Sequence, residues 1–416
     1  MVNNNSKAGD PLSVPAGLSP AIPYDLVVTL ALTSAHTISS TAMVILPAIA
    51  PAVARDYGID ASLIGYQIGI MGTGLLTSLL LFGNLSRRMG GCRTHQLGQG
   101  LLAFGLLSML FPFVALLIPG SFLMGCAFGL LGPANSTLLA RFAPAERRNM
   151  VFSIQQTSVP LGGVIAGLIG PVIAVTVGWR WALALIAIVL LIVIALLQRV
   201  RARWDAERHP GAPMVASNPF AGIVTNWRDR RLRLLSVSGG AFCWAQFCVA
   251  GYTVVACVEA LGMDLIAAGG VLIVVNLVTA AGRVIAGGLA DWLKSAARVL
   301  LWTGWIMLAT CIAMLWLSPA WNTLLVYVAF SLLGITSCAW SGLVLAEVGH
   351  LAPKGHVALV TAGTLAYVNT GKLVGPMVFA VTYTITRSYG IAFACVGIPA
   401  IVAIYCMMAV QRVRNP

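Results

Sequence analysis

The fold is decided by a stretch of sequence that occurs twice. From Gly282 to Asp291 the chain reads Gly-Arg-Val-Ile-Ala-Gly-Gly-Leu-Ala-Asp, which ends an apolar segment, places one arginine inside it and leaves through a tight turn. A weaker copy, Gly-Asn-Leu-Ser-Arg-Arg-Met-Gly from Gly83 to Gly90, lies half a chain earlier in a sequence of 416 residues. The repeat predicts two halves of similar build.

The composition is that of a protein embedded in a membrane. Hydrophobic residues make up 59% of the chain and charged residues only 9%, and the mean hydropathy is +0.92. Soluble proteins carry about 25% charged residues, so this chain could not cover a water-facing surface. Because a helix needs about 20 apolar residues to cross a bilayer, we predict an all-α membrane protein with twelve transmembrane helices in two six-helix bundles. The predicted spans are 25–50, 61–83, 94–111, 114–141, 150–174, 180–198, 234–260, 266–288, 297–318, 322–346, 356–384 and 389–411.

The distribution of Lys and Arg predicts the orientation in the membrane. With both termini inside, 20 of the 25 Lys and Arg residues fall on the cytoplasmic side, and only Arg55, Arg180 and Arg387 fall on the other. The positive-inside rule therefore favours a multi-pass protein of the cytoplasmic (inner) membrane with both termini in the cytoplasm. The predicted organisation is a tail (1–24), a first bundle (25–198), a basic cytoplasmic linker (199–233), a second bundle (234–411) and a short tail (412–416).

Twelve spans, a six-plus-six duplication and the Gly-x-Leu-Ala-Asp turn resemble the major facilitator superfamily over the whole chain. The resemblance implies a secondary transporter in which two bundles rock about a central site. Within the superfamily, the stretch 153–163 and the Gly-Trp-Arg-Trp run at 178–181 look like bacterial permeases of the cyanate branch. Ser121 stands where the resemblance places an arginine in proton-coupled drug antiporters, which disfavours that group.

The resemblance makes the two repeated turns the conformational-switch loops. In the superfamily, an Asp in this turn takes part in a charge relay and a helix-end contact that steadies one conformational state. The second copy keeps that residue as Asp291, whereas the first has Arg87 in its place, so the first contact must differ or move to Asp291. The switch-loop residues are Gly83, Arg87, Arg88, Gly90, Gly287 and Asp291.

Two cationic residues, Arg283 and Lys372, fall inside predicted spans, where charge is costly and often functional. Lys372 lies roughly 24 Å from the inner end of its span, past the midplane. Both are candidates to bind an anionic solute, and the spacing Arg-x-x-x-Gly resembles monocarboxylate transporters. The alternatives are snorkelling to the membrane surface or, for Arg283, pairing with Asp291. Because Asp and Glu fall only near span ends, charge pairing favours an anionic solute over a cation.

Polar side chains at membrane depth complete the predicted site. His36 lies near the middle of span 1, and a histidine can change protonation near neutral pH, so protons are a candidate coupling ion. A neutral histidine hydrogen-bonded across helices fits the sequence equally well. Each amide alone is more often part of helix packing than a ligand. The other expected site residues are Gln155, Gln156, Gln246, Asn276 and Asn369, with Trp340 and Tyr252 as cavity aromatics.

These patterns predict a transporter rather than an enzyme. The sequence holds no catalytic constellation, Cys/His cluster or phosphate-binding loop, so we expect no cofactor and no metal. The predicted function is alternating-access transport of a small organic carboxylate or inorganic anion. Efflux of hydrophobic drugs is the alternative, and a non-transporting sensor is a third hypothesis that the short tails disfavour. Membrane lipid, rather than nucleic acid, is the expected partner of the basic linker, and a monomer is expected because one chain holds both bundles.

Overall fold

The computed structural model describes residues 24–144, 147–215, 218–353 and 356–414, and these ranges are built from helices. In the first half the long helices are α1 (Tyr24–Ala48), α2 (Ile64–Phe82), α3 (Gly91–Ser108), α4 (Leu117–Phe142), α5 (Arg148–Gln156 continued by Ser158–Thr176) and α6 (Trp179–Trp204). In the second half they are α7 (Arg230–Glu259), α8 (Leu265–Trp292), α9 (Ala296–Ala313), α10 (Thr323–Cys338 continued by Trp340–Leu351), α11 (Val357–Thr386) and α12 (Tyr389–Cys395 continued by Gly397–Arg414). Shorter helices are Ala50–Tyr57, Leu85–Met89 and Ala221–Arg228.

Each predicted span coincides with one of these twelve long helices. Of the predicted tails, residues 1–23 and 415–416 lie outside the described ranges. The predicted linker 199–233 differs most from the observed structure, because α6 continues to Trp204 and a further helix forms at Ala221–Arg228. α7 begins as early as Arg230 because the carboxylate of Asp229 accepts hydrogen bonds from the backbone N–H groups of Arg231 and Leu232, which caps the helix.

The described helices are suited to a bilayer. Ten helical segments in the described ranges are long and apolar enough to cross a membrane. α3 and α11 lie outside that set, and both carry buried polar side chains, His95 and Lys372 among them. The predicted fold class, an all-α membrane protein with about twelve helices, is confirmed, and the protein is a multi-pass membrane protein.

The two halves meet mainly where α2 packs against α11 and α5 packs against α8. Glycine permits the close approach of α2, because a side chain at Gly65 would collide with the carbonyl of Pro376 and the hydroxyl of Tyr252. Tyr252 is fully buried there, with its hydroxyl 2.8 Å from the carbonyl oxygen of Ser62 and 3.1 Å from that of Pro376. From the sequence we expected Tyr252 to line a cavity. The structure instead places it in helix packing.

Contacts between the halves are unequal at the two ends of the molecule. We call the end where α6 stops and α7 starts the linker end, and the opposite end the far end. At the far end the Asp60 carboxylate and the Arg387 guanidinium form an ion pair of 3.0 Å across the halves. Toward the linker end, Arg283 donates a long hydrogen bond of 3.4 Å to the carbonyl of Gln156. Because the far end has both this ion pair and the Tyr252 hydrogen bonds, the halves are joined more tightly there.

Candidate functional site

Lys372 is enclosed at the interface between the halves. It lies in the middle of α11 and is only 2% exposed. Its Nζ is 3.5 Å from the Sδ of Met43 on α1, 4.6 Å from the ring centre of Phe247 on α7 and 5.5 Å from that of Phe128 on α4. The ammonium group therefore does not reach a membrane surface, which was the alternative left open by the sequence.

The described residues place no carboxylate within ion-pair distance of this ammonium group. Among the described residues, the ion pairs within 4.0 Å involve arginines, and none of them includes Lys372. A thioether and two aromatic faces attract a cation less strongly than a carboxylate does. Because a buried charge without an opposite charge is unfavourable, an anionic ligand placed beside Lys372 would relieve that cost.

A cavity of about 70 Å³ lies between the halves, and Lys372 is not among the residues that line it. Met43 and Phe247, which contact the ammonium group, both line it. Three of the predicted site residues line it as well: Arg283, Gln246 and Asn276. The fold thus brings together side chains from α1, α7 and α8 that lie far apart in the sequence.

Arg283 reaches this cavity from α8. Its Nη1 donates to the carbonyl of Gln156, and its Nε is buried without a hydrogen-bond partner among the described residues. No ion pair joins Arg283 to Asp291 in the described part of the chain, so the pairing considered from the sequence is not seen. The guanidinium keeps a buried donor for which a bound anion would be an acceptor.

The amides that line the cavity are held in place by neighbours. The Oε1 of Gln246 accepts a hydrogen bond of 3.0 Å from the indole Nε1 of Trp340. Asn276 donates from Nδ2 to the carbonyl of Leu272 at 2.9 Å and packs tightly against Gly163 of α5. Trp340 therefore holds the side chain of Gln246, and both amides lie at the wall of the cavity with at least one hydrogen bond each.

The other predicted amides are not among the residues that line this cavity. Gln155 accepts a hydrogen bond of 3.1 Å from the hydroxyl of Thr33 and so ties α5 to α1. Gln156 contributes its backbone carbonyl to Arg283. Asn369 donates to the carbonyl of Leu365 at 2.7 Å, one turn back along α11.

His36 lies in a polar cluster within the first half. Its Nδ1 is 3.0 Å from the Nδ2 of Asn135 on α4. The imidazole also packs against Phe128, with ring centres 5.7 Å apart. Because Phe128 contacts the ammonium of Lys372 as well, one aromatic ring adjoins both His36 and the buried cation.

The first repeated turn is attached to the linker. The carbonyl of Arg87 accepts a hydrogen bond of 2.9 Å from the backbone N–H of His209, and Arg88 donates from Nη1 to the carbonyl of Ala212 at 3.1 Å. Gly90 has φ +96°, a conformation that favours glycine, and a side chain there would collide with the carboxyl of Asp205. Gly83 is helical and ends α2.

The carboxylate nearest the first turn belongs to Asp205, because Arg87 stands at the position where the superfamily has an Asp. The carboxylate oxygens of Asp205 accept hydrogen bonds from the backbone N–H groups of Cys92 at 2.8 Å and Arg93 at 3.0 Å, at the N-terminus of α3. Burial raises the pKa of Asp205, and the two amide bonds oppose this rise. The sequence did not reveal this residue because it lies at the end of α6, far along the chain from the turn it completes.

The second repeated turn makes fewer contacts. A side chain at Gly287 would meet no atom within 4 Å, and Asp291 is exposed. The carbonyl of Asp291 accepts a hydrogen bond of 3.2 Å from Lys294, which has φ +50°. Asp205 thus holds the first turn, and Asp291 forms no ion pair among the described residues, while the role of the two turns as conformational-switch loops stays a prediction.

The sequence also matches a known family over most of its length. Residues 31–376 match the sequence profile of the Major Facilitator Superfamily. The chain belongs to this superfamily. Its members are transporters and not enzymes. The family resemblance derived from the repeated turn is confirmed.

Known relatives match only part of the chain. The 4-hydroxybenzoate transporter PcaK of Acinetobacter baylyi is 28% identical over 135 residues, which is 32% of this chain and 29% of the relative. The 4-hydroxybenzoate transporter PcaK of Pseudomonas aeruginosa is 27% identical over 173 residues, or 40% of this chain and 38% of the relative. The synaptic vesicle 2-related protein of Bos taurus is 27% identical over 154 residues, or 36% and 27%. The chain thus spans about a third of the length of the curated relatives it matches.

Solved structures resemble the whole fold at low sequence identity. A bacterial homologue of the human lysosomal transporter Spinster, inward-facing and occupied, superposes with a TM-score of 0.72 at 14% identity, covering 94% of this chain and 98% of that one. The peptide transporter POT in complex with sulfate gives a TM-score of 0.76 at 14% identity and 97% coverage of both chains. At these identities the likeness shows the fold alone.

Proposed function

We propose that the protein is a secondary transporter for a small anionic solute, with an aromatic carboxylate as the first class to test. The observation that carries this proposal is Lys372, a buried ammonium group with no carboxylate within ion-pair distance among the described residues. The partial similarity to two transporters named for 4-hydroxybenzoate supports a carboxylate.

The anion would bind between two cations from the second half. Arg283 would donate a hydrogen bond from its unpartnered Nε to a carboxylate oxygen. The positive charge of Lys372, which contacts the cavity-lining Met43 and Phe247, would attract the same anion. The ring of an aromatic acid would pack on Phe247, while Gln246 would offer its amide to a ring hydroxyl. His36 adjoins this arrangement, because Phe128 contacts both its imidazole and the ammonium group of Lys372.

Alternating access would follow from movement of 25–198 against 234–411. We infer from the positive-inside rule that the linker end faces the cytoplasm and that the membrane is the inner membrane. With the halves joined at the far end, the form described here would then be the one that opens toward the cytoplasm. Exchange of the far-end contacts of Tyr252 and Asp60 for contacts near Arg283 would produce the opposite state.

The test is uptake of labelled 4-hydroxybenzoate into proteoliposomes that hold the purified protein. Lys372→Met and Arg283→Met each remove one cation, and Lys294→Met is the matched control because it removes a charge at an exposed position. Loss of one member of a buried charge pair costs about 2–5 kcal/mol of binding, so we expect uptake at low solute concentration to fall at least about tenfold. Full uptake by the double variant Lys372→Met/Arg283→Met would refute the proposal.

Efflux of a hydrophobic compound is the second candidate, because the cavity wall is mainly apolar. Val159, Leu272 and Phe247 all line it. On this alternative, cells that express the protein would tolerate hydrophobic drugs better, and Lys372→Met would keep that tolerance. Anion uptake that depends on Lys372 would exclude it.

A further inference from the structure

A second, larger cavity lies at the far end of the first half. Its volume is about 390 Å³, against about 70 Å³ for the cavity between the halves. Its wall is formed by the end of α1, the short helix Ala50–Tyr57, the start of α2 and the start of α4. The described residues that line it belong to the first half alone, and none of them lines the cavity that Arg283 reaches. It is therefore a separate space and not an extension of the candidate solute site.

The wall of this far-end cavity is mainly apolar. Most of its lining residues are aliphatic, with Leu46, Ile64 and Ile70 among them. Asp60 is the charged residue in the described lining, and its carboxylate is already paired with Arg387. Because that lining offers no cation, an acid would lose its hydration here without compensation. The cavity thus suits a neutral molecule.

One polar group in the wall is incompletely paired. Gln67 on α2 is 7% exposed and lines the cavity. Its Nε2 lies 3.7 Å from the Sδ of Met71, a weak acceptor, and its Oε1 has no hydrogen-bond partner among the described residues. A buried acceptor without a donor is costly. A ligand hydroxyl matches this amide, because a hydroxyl can donate to the oxygen and can also accept from the nitrogen.

The size and position of the cavity restrict the ligand further. A cavity of about 150 Å³ holds benzene, so this one admits a molecule roughly twice as large. Val114 and Ile118 line the cavity and are exposed apolar side chains at the start of a helix that can span the membrane. A molecule dissolved in the bilayer therefore reaches the cavity past apolar side chains. A small lipid-soluble phenol or alcohol meets all of these conditions.

The cavity lies directly behind the contact that joins the halves at the far end. Segment 60–67 contributes Ile64 to the cavity, while Ser62 and Gly65 of the same segment face the second half. The carbonyl oxygen of Ser62 accepts a hydrogen bond of 2.8 Å from the hydroxyl of Tyr252. The second half supports this segment while the far end is closed, so the cavity walls are fixed in that state.

We propose that the far-end cavity binds a neutral, lipid-soluble molecule that carries one hydroxyl group, and that the bound molecule holds the far end closed. The hydroxyl pairs with Gln67, and the apolar body fills the space between α1, α2 and α4. A ligand shifts a conformational equilibrium toward the state that binds it better. Because the cavity walls are supported in the closed form, an occupied cavity favours that form and slows alternating access. The binding is independent of the proposed function, whereas its effect on transport rests on the proposed anion transport.

Photolabelling of the wild-type protein tests the binding. The probe is a diazirine derivative of octanol, which loses nitrogen on illumination and inserts into nearby bonds, and the labelled peptides are identified by mass spectrometry. We expect labelling within residues 46–70 or 114–118. An excess of 4-butylphenol, ten times its dissociation constant, should reduce this labelling about tenfold by mass action. 4-Hydroxybenzoate should leave it unchanged. Labelling that is confined to other segments, or that 4-butylphenol does not reduce, would overturn the inference.

A comparison of two ligands in two proteins tests the hydrogen bond. 4-Butylphenol, which is neutral at neutral pH like a tyrosine side chain, differs from butylbenzene by its hydroxyl. Gln67→Leu removes the amide at similar size. Competition with the photolabel gives each affinity, and we expect Gln67→Leu to bind 4-butylphenol up to about tenfold more weakly and butylbenzene within about twofold of wild type. Equal binding of both ligands by the wild type would identify a site for plain acyl chains and contradict the proposal.

The effect on transport is measured as exchange of labelled 4-hydroxybenzoate in proteoliposomes. The pH is equal on both sides, because a phenol can carry protons across the bilayer. We expect 4-butylphenol to slow exchange by at least about threefold in wild type. Ala54→Phe fills the cavity, so its exchange should be insensitive to 4-butylphenol. Ala313→Phe, at an exposed position at the end of α9, is the matched control and should respond as wild type.

The outcomes separate this inference from the proposed function. Cavity labelling without a slowing of exchange would contradict the role in transport. Slowing that persists in Ala54→Phe would assign the effect to the bilayer and contradict that role as well. A wild type that does not exchange 4-hydroxybenzoate contradicts the proposed function, and the labelling result then decides the binding site by itself.

Discussion

Lys372 meets a sulfur atom and two aromatic rings where a buried cation would ordinarily meet a carboxylate. A lysine retained for stability alone would be expected to pair, because replacing an uncompensated buried charge by an apolar side chain of similar size relieves its desolvation. Its environment is therefore better explained by a ligand than by folding.

Lys372→Met should stabilise the solute-free protein. Methionine has nearly the same shape and would pack on Met43 and Phe247, so we expect a gain of up to about 1–4 kcal/mol in the free energy of unfolding. The measurement is the midpoint of thermal unfolding in detergent without solute, with Lys294→Met as the control at an exposed position. A midpoint that falls in Lys372→Met would indicate that the lysine has a structural role.

Gly90→Ala should destabilise the protein more than Gly178→Ala. Both glycines have strongly positive φ, +96° and +103°, so alanine is strained at either position. At Gly178 the added methyl group meets no atom within 4 Å, whereas at Gly90 it collides with the carboxyl of Asp205 and disturbs the cap of α3. We expect the excess loss to be about 1–3 kcal/mol by thermal unfolding. Equal losses in the two variants would mean that Asp205 does not hold the turn.

At the scale of helices, the apolar segments and their order were predictable, because hydrophobic length in a bilayer leaves few alternatives. The helix contacts that build the site were not. Arg283 and Lys372 stood out as charges inside apolar segments, whereas Asn135 is an ordinary polar residue until α4 brings it beside His36. Partners such as these depend on helix rotation and packing, which a single sequence does not specify.

The contact of α2 with α11 should control which end of the transporter opens. Gly65→Leu would insert a side chain where the carbonyl of Pro376 and the hydroxyl of Tyr252 now lie, and so would force the far end apart. We expect transport to fall by at least about tenfold, because one of the two alternating states becomes inaccessible. Gly132→Leu is the matched control on α4, since a side chain there meets no atom within 4 Å. Normal uptake of 4-hydroxybenzoate by Gly65→Leu would show that this contact does not close the far end.

At the scale of the whole molecule, the charge distribution predicts which end faces the cytoplasm. Fusion of green fluorescent protein after Pro416 should give fluorescent cells, because that reporter becomes fluorescent when it remains in the cytoplasm. Fusion of alkaline phosphatase in the connection between α9 and α10, at Ser318–Asn322, should give phosphatase activity outside the inner membrane. The reverse pattern of the two reporters would invert the orientation and the assignment of the cytoplasm-facing state.

A thermal-shift measurement with matched ligands shows whether the cavity near Lys372 binds an anion. The ligands are 4-hydroxybenzoate and its neutral amide, and each protein is compared with its own solute-free midpoint. At a concentration of 100 times the dissociation constant, a ligand stabilises the folded state by about 2.7 kcal/mol. We expect a shift with the carboxylate and none with the amide in wild type and Lys294→Met, and no shift in Lys372→Met. An equal shift in Lys372→Met, or a shift with hydrophobic drugs alone, would contradict it.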